Sequence, residues 1–340
     1  MKKELISIVM PTYNRGYIIS SAIESVIAQS YSEWEFIIVD DGSTDDTEIV
    51  VSKYKSDERI KYYRLSENHG ANYCRNYGVK QARGEYLAFI DSDVVWKDNK
   101  LDRQMSCLME NSNCELVFCK TMLIRKDKTI EFPKRDEHPI LEPNSLKYGN
   151  FIDTNTVLIK KRAVIEAGGF DEKLPRLQEW ELFIRLILIE KHKFFFVDEH
   201  LCDNYIQKDS ISEDDSKYRT AMNYIINKHS DIFLSTDLKG FITRNISADM
   251  DAFIAKNGKA YIYGAGYYGD FLREFIKNEY DIDTSFVVTN PTNNDAVCIK
   301  QLEKNTPIII GVNNNLSSEI RKILVNDGYT NWIDGYHWGY

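Results

Sequence analysis

Apolar and polar positions fall into alternating blocks along the first ninety residues. Residues 5–10 are a short apolar run ended by Pro11, the pattern of a strand buried on both faces. Ile18, Ala22, Ile23, Val26 and Ile27 then recur at helical spacing over residues 17–29. Residues 36–39 form a second apolar run, stopped by the turn-rich Asp40-Asp41-Gly42-Ser43. Thr44 is placed to cap a helix over 45–55 that carries acidic residues in its first turn, where they complement the helix dipole. A strand over 60–65, a helix over 70–82 and a strand over 86–90 continue the rhythm. Strand, helix and strand in this order predict a doubly wound parallel sheet with right-handed crossovers.

Beyond residue 100 the alternation loosens. Leu101, Met105, Leu108 and Met109 mark a helix, 115–125 a strand, 156–160 a further strand and 179–190 a strongly apolar helix. Residues 126–150 are polar and contain prolines, and 208–256 are mixed and mainly helical in pattern. A new α/β pattern then begins, with strands expected at 259–263, 284–289, 307–312 and 331–334, and helices at 268–278 and 316–325. The expected organisation is a first domain over 1–208, a mainly helical connector over 209–256 and a small Rossmann-like domain over 257–340. A chain of 340 residues suits two domains.

Composition narrows the function classes. The sum of 43 Lys and Arg against 52 Asp and Glu leaves a formal charge of −9, which argues against a nucleic-acid binder whose affinity rests on phosphate neutralisation. The six cysteines include no C-x-x-C pair and no histidine at zinc-ligand spacing, so reduced thiols are expected. No apolar run approaches the roughly 18 residues of a membrane span, and the first residues lack a signal-peptide pattern. The expectation is a cytoplasmic protein, with peripheral contact at the inner face of the membrane or homo-oligomer contact through the C-terminal domain still open.

In open α/β sheets, ligands bind beyond the carboxyl ends of the strands. Pro11-Thr12-Tyr13-Asn14 follows the first strand, Asp40-Asp41-Gly42-Ser43 the second and Asp91-Ser92-Asp93 the fourth. Any one of these reads as an ordinary turn; three at strand ends of one half-domain are harder to explain that way. Two carboxylates one residue apart can hold a hard cation such as Mg²⁺ or Mn²⁺ while substrate phosphates supply other ligands. Such a metal offsets charge growing on a diphosphate leaving group. Tyr13 can stack on a base, and Asp41 can accept a hydrogen bond from a ring N–H.

Four ordered segments, I-S-I-V-M-P-T-Y-N-R, F-I-I-V-D-D-G-S-T-D-D-T, N-H-G-A-N-Y-C-R-N-Y-G and G-E-Y-L-A-F-I-D-S-D, resemble the N-terminal half of family 2 glycosyltransferases. The resemblance covers about residues 5–105. It implies a GT-A fold and an inverting transferase that takes a nucleotide-diphosphate sugar, expected to be a UDP-sugar, with Mn²⁺ or Mg²⁺. On that pattern Pro11, Thr12, Tyr13 and Asp41 hold the nucleoside, and Arg75 approaches the diphosphate or the residues that fix it. Asp91, Ser92 and Asp93 form the D-x-D, with Asp93 the direct metal ligand and Asp91 beside it. Asn68, Asn76 and Gly84 read as loop and packing residues.

An inverting transfer also needs a base to take the acceptor hydroxyl proton. Gly168-Gly169-Phe170-Asp171-Glu172, leading to Gln178-Glu179-Trp180-Glu181-Leu182, resembles the family's G-G-F-D-E and E-D-W-D-L segment. Glu179 falls on the base position, one methylene longer than the commoner Asp. Glu181 is the second candidate for the base, or else a helix-surface acid, and Trp180 reads as either an acceptor platform or a core residue. Gln207 stands where the family often has His, as an acceptor or phosphate contact but a poor metal ligand. The resemblance implies addition of one sugar per encounter to a saccharide or lipid-linked acceptor in surface polysaccharide or glycoconjugate assembly.

Near the C-terminus, Gly264, Gly266 and Gly269 complete a G-x-G-x-x-G between an expected strand and an expected helix, a context suited to a phosphate at a helix N-terminus. The acid that a dinucleotide site places about 20 residues further on is replaced by Thr289 and Asn290, so a structural or docking role competes with ligand binding. Two other readings of the whole chain stay open. A sugar-phosphate nucleotidyltransferase would carry a glycine-rich loop with a basic residue after the first strand, and residues 11–16 do not supply one. A non-catalytic scaffold would leave the paired acids and Glu179 without a task.

Overall fold

The computed structural model describes residues 4–206 apart from 112, 126–127, 134–142, 144–145 and 147–149, then 215–229, and in the C-terminal part 232, 250–264, 269, 272–273, 276–277, 280–288, 296–311 and 314–334. The chain divides into two units, Met1–His229 and Ser230–Tyr340.

The first unit is built on one nine-stranded sheet. Its parallel half comprises β1 (Ile6–Thr12), β2 (Trp34–Asp40), β3 (Ile60–Arg64) and β4 (Tyr86–Phe89) in the order β3-β2-β1-β4. Every residue of β1 and β2 is buried, as the continuous apolar runs require when helices cover both faces. The helices α1 (Ile19–Ile27), α2 (Thr47–Ser52) and α3 (Ala71–Gln81) make the crossovers. In α1, Ile19, Ala22, Ile23 and Val26 form the buried face. Thr44 is not the cap of α2; Asp45 receives the Thr47 N–H on Oδ1 at 3.0 Å, and the helix is one short segment.

The other half is mixed. After β5 (Val94–Trp96) and α4 (Lys100–Glu110) come β6 (Leu116–Ile124), β7 (Thr129–Phe132), β8 (Val157–Lys160) and α5 (Lys161–Glu166). Then follow α6 (Gln178–Phe183), continued by a π-helical segment Ile184–Ile189, and the long strand β9 (Phe194–Tyr205). Strand β8 lies antiparallel to β4 and to β6, while β6 and β9 are parallel. No clean alternation marks β9. An irregular register near Lys120 interrupts its pairing with β6, which breaks the period-2 pattern expected of a strand.

The first unit continues past residue 208 through α7 (Asp215–Lys228) to His229. Lys228 and His229 bond carboxylates of this unit, so part of the expected connector belongs with the first sheet.

The second unit contains α8 (Met250–Asn257), β10 (Tyr261–Tyr263), β11 (Ser285–Val288), β12 (Ala296–Cys298), β13 (Ile308–Ile310), α9 (Asn314–Asn326) and β14 (Trp332–Asp334). Its sheet is parallel throughout, in the order β12-β11-β10-β13-β14. The strand order reverses beside β10, as in a doubly wound fold. Gly269 is there for close packing, since a Cβ would come within 1.8 Å of the Gly264 carbonyl oxygen. Gly266, Thr289 and Asn290 lie outside the described residues.

Candidate active site

The site begins where β1, β2 and β4 end. The loops after β1 and β2 are cross-linked: the Asn14 N–H donates to Ser43 Oγ at 2.8 Å, the Thr44 N–H to Asn14 Oδ1 at 2.8 Å, and the Gly16 N–H to Asp45 Oδ2 at 3.0 Å. Asn14 accepts a left-handed backbone, φ 52°, which asparagine tolerates better than most residues. Thr12 is buried, its Oγ1 without a hydrogen-bond partner, while Tyr13 is 44% exposed with its ring open to a ligand.

Asp41 does more than the sequence suggested. Its Oδ1 accepts the His69 N–H at 2.7 Å and its Oδ2 the Gly70 N–H at 2.8 Å. It thereby fixes the entry to α3, where Gly70 adopts φ 92°. A carboxylate has about four acceptor positions, so these two bonds and one with the Cys74 thiol leave room for one from a base.

From α3, Arg75 is 3% exposed and its Nη2 donates to Asp91 Oδ1 at 2.7 Å. Its guanidinium lies over the Phe170 ring, 5.5 Å from the centroid, and its Nε has no hydrogen-bond partner. Arg75 therefore meets the first acid of the D-x-D. Asn72 and Asn76 brace the segment beyond: Asn72 Nδ2 donates to the Asp171 carbonyl at 2.8 Å, and Asn76 exchanges two hydrogen bonds of 2.8 Å with the Phe170 backbone.

Sequence reading missed two residues that join the site, Asp153 and Asn155. The antiparallel pairing of Ala88 with Leu158, carried three residues on from Ala88 and two past the end of β4, sets Asp91 opposite Asn155. The Asp91 N–H donates to Asn155 Oδ1 at 2.6 Å, and Asn155 Nδ2 donates to Asp91 Oδ2 at 3.2 Å and to Asp153 Oδ1 at 2.9 Å. Both oxygens of Asp91 thus have protein donors. Ser92 is buried between the two acids. The only signal for Asp153 and Asn155 in the sequence was their position just before the strand 156–160; an antiparallel neighbour for β4 was not foreseeable from it.

Asp93 is held by its backbone, whose carbonyl accepts the Tyr205 N–H at 3.0 Å. Burial pushes its carboxyl up to about 7, with Asp91 and Asp153 adding and its own backbone N–H and Arg15 opposing. Glu179, in the first turn of α6, is likewise pushed up to about 7 by burial, with Asp153 and Asp91 adding and Arg75 and its own backbone N–H opposing. Glu179 thus lies within electrostatic reach of Asp153, Arg75 and Asp91. Asn150 Nδ2 stands 3.4 Å from Glu179 Oε1.

Two expectations on this helix change. Trp180 is 4% exposed and its indole N–H donates to the Leu146 carbonyl at 2.7 Å, so it is a core residue and not an open acceptor platform. Glu181 is fully buried and not a surface acid. Gln207 lies outside the described residues. Among the described residues no three acidic, histidine or cysteine side chains converge to hold a metal by themselves, and no helix is long and apolar enough to cross a membrane.

The half-parallel, half-mixed sheet has the fold of GT-A-like structures such as S. aureus TarS. The segment 7–167 matches the family described as Glycosyl transferase family 2. Among curated relatives, TuaG of Bacillus subtilis (strain 168), named for teichuronic acid biosynthesis, is 44% identical over 128 residues, covering 37% of this chain and 50% of TuaG. WfgD of Escherichia coli, named as a UDP-Glc:alpha-D-GlcNAc-diphosphoundecaprenol beta-1,3-glucosyltransferase, is 42% identical over 112 residues, covering 33% of this chain and 44% of WfgD. The chain thus spans about half the length of these curated relatives. Residues 1–349 of S. aureus TarS in complex with UDP-GlcNAc share the fold at a TM-score of 0.56 and 20% identity, over 74% of this chain and 79% of that one. The mannosyltransferase PcManGT from Pyrobaculum calidifontis, in complex with GDP-Man and Mn²⁺, superposes at a TM-score of 0.54 and 16% identity, over 67% of this chain and 64% of that one.

Proposed function

We propose that the protein is an inverting, metal-dependent glycosyltransferase that moves a sugar from a UDP-sugar to a hydroxyl of a saccharide or lipid-linked acceptor in surface polysaccharide or glycoconjugate assembly. The observation that carries this reading is the approach of Glu179, on α6, to the Arg75–Asp91–Asn155 network and Asp93 at the strand ends. The donor class is supported by the UDP-GlcNAc complex of TarS and the UDP-Glc in the name of WfgD. The lipid-linked acceptor class is supported by the diphosphoundecaprenol in that same name.

The donor set suits a hard dication. Asp93 is a carboxylate crowded by two others, Asp91 and Asp153, and a cation relieves that repulsion. Fewer than three protein ligands is the expected arrangement when a diphosphate completes the coordination. Asp93, with Asp91 beside it, would hold Mn²⁺ or Mg²⁺, which would offset charge on the departing diphosphate.

The remaining work falls to the chain's own residues. Tyr13 and Asp41 take the nucleoside, the exposed ring by stacking and the carboxylate by its remaining acceptor position. Arg75 and Asn155 fix Asp91 from its two sides. Glu179 takes the proton of the acceptor hydroxyl as that oxygen bonds to the anomeric carbon. The bond from that carbon to the nucleoside diphosphate breaks on the opposite face, and the configuration inverts. A base titrating near 7 is half ionised at neutral pH and still basic enough to accept the proton.

A thermal-shift panel of UDP-, GDP- and dTDP-sugars with and without Mn²⁺ tests the reading, followed by turnover with the donor that binds. UDP-sugars should stabilise the wild type only with Mn²⁺, and Asp93→Asn should lose that response. Equal stabilisation without metal, or an unchanged response in Asp93→Asn, would sink the metal assignment.

A further inference from the structure

Glu179 stands two residues from a second, very different glutamate. Glu181 is fully buried and surrounded by donors. Arg185 grips it with Nε at 2.9 Å from Oε1 and Nη2 at 2.6 Å from Oε2. From α7, Lys228 Nζ lies 2.8 Å from Glu181 Oε1 and 2.5 Å from Asp171 Oδ2, and His229 Nε2 lies 2.9 Å from Glu181 Oε1. Tyr224 O–H donates to Asp171 Oδ2 at 2.9 Å. Arg185 also donates to the carbonyls of Ala167 and Gly169. The cluster therefore joins α5, the loop before α6, α6 itself and α7.

The turn into α6 needs such an anchor. Leu177, its N-cap, is left-handed at φ 60° and makes no side-chain capping bond. A branched residue in that region is unfavourable and persists only where its surroundings over-determine it. With its π-helical continuation the helix it starts runs twelve residues, Gln178–Ile189, still marginal by itself. What fixes the direction of Glu179 is thus the buried carboxylate two residues later and the cations that receive it.

We infer that Glu181, clamped by Arg185 and by Lys228 and His229 of α7, positions Glu179 for its work in the cleft. The inference rests on Glu179 being the base. It gives α7, which lies outside the family-matched segment 7–167, a part in the reaction. Lys228, His229 and Glu181 are positioning residues, since none of them reaches the reacting atoms. The donor contacts at Asp41, Arg75, Asp91 and Asp93 sit on other elements, so loosening the clamp should reach the base and spare donor binding.

The test uses the full chain with Lys228→Ala, Lys228→Arg and His229→Ala. Steady-state kinetics with the donor found above are paired with amide exchange of a peptide covering 171–183, measured without substrate. Misplacing a catalytic group by about 1 Å costs up to about 100-fold in rate. Lys228→Ala and His229→Ala should lower kcat roughly 10- to 100-fold at a donor KM within about threefold of wild type, with faster exchange in 171–183. Lys228→Arg should restore both. Unchanged exchange in the alanine variants, or a raised KM at unchanged kcat, overturns the inference. If the wild type turns over no donor, the transferase reading fails, and exchange alone then decides whether α7 anchors this turn.

Discussion

Replacing Glu179 by glutamine removes one proton acceptor while keeping nearly the same shape. The carboxyl titrates near 7 where an ordinary glutamate titrates at 4.5, because burial and the nearby Asp153 and Asp91 disfavour its charge. A base of that value is about half ionised at pH 7, and its ionised fraction falls roughly tenfold for each pH unit below 6. The wild-type kcat should therefore climb with pH along a limb centred near 7, instead of being flat above about 5.5 as a solvated glutamate would give. Asp93 titrates in the same range, so the limb is assigned to Glu179 by its loss in the glutamine variant, both proteins being measured at the same Mn²⁺ concentration. Glu179→Gln should lose about 10²- to 10⁴-fold in kcat, the usual worth of a positioned base, while donor KM stays within a few-fold. The limb near 7 should vanish from whatever rate remains. A variant within tenfold of wild type, or one that keeps the same limb, would refute Glu179 as the base.

Other outcomes follow from neighbouring contacts. Asn155→Ala strips Asp91 of one carboxylate partner and its N–H of an acceptor; at about 1–2 kcal/mol, Mn²⁺-dependent UDP binding measured by calorimetry should weaken about 5- to 30-fold. Glu181 is depressed from 4.5 to about 2, burial opposing and His229, Arg185 and Lys228 prevailing, a difference equivalent to about 3 kcal/mol. That stability is present above the ordinary glutamate value and lost as pH falls towards 2. The urea-stability gap between wild type and Glu181→Gln, followed by amide exchange in β1 and β2, should accordingly shrink between pH 5 and pH 2. Gly84→Ala sets a Cβ 2.5 Å from the Leu5 carbonyl oxygen and 2.8 Å from the Ser7 nitrogen; the overpacking should cost about 1–3 kcal/mol, read as a lower unfolding midpoint.

The parallel half of the first sheet was legible because its strands are buried on both faces and its helices carry one apolar stripe, so local pattern and tertiary role coincide. Asp41, Asp91 and Asp93 were legible for the same reason: the end of a parallel strand is visible in sequence, and the rule for ligand sites starts there. Strand β9 was not, because the irregular register near Lys120 breaks the alternation that a strand presents. Trp180 and Glu181 were misjudged for a related reason. Spacing along a short helix does not say which neighbours will close over it, and here α7 and Leu146 do.

The strand and helix periods, the acids at three strand ends and the carboxylate at position 179 are properties of the sequence alone. So is the charge of −9, which speaks against phosphate neutralisation by net charge. Tertiary structure decided the rest. Antiparallel β8 sets Asn155 against Asp91, and α7 brings Lys228 and His229 to Glu181. A local period reports which face of an element is buried; only long-range pairing reports what is buried against it.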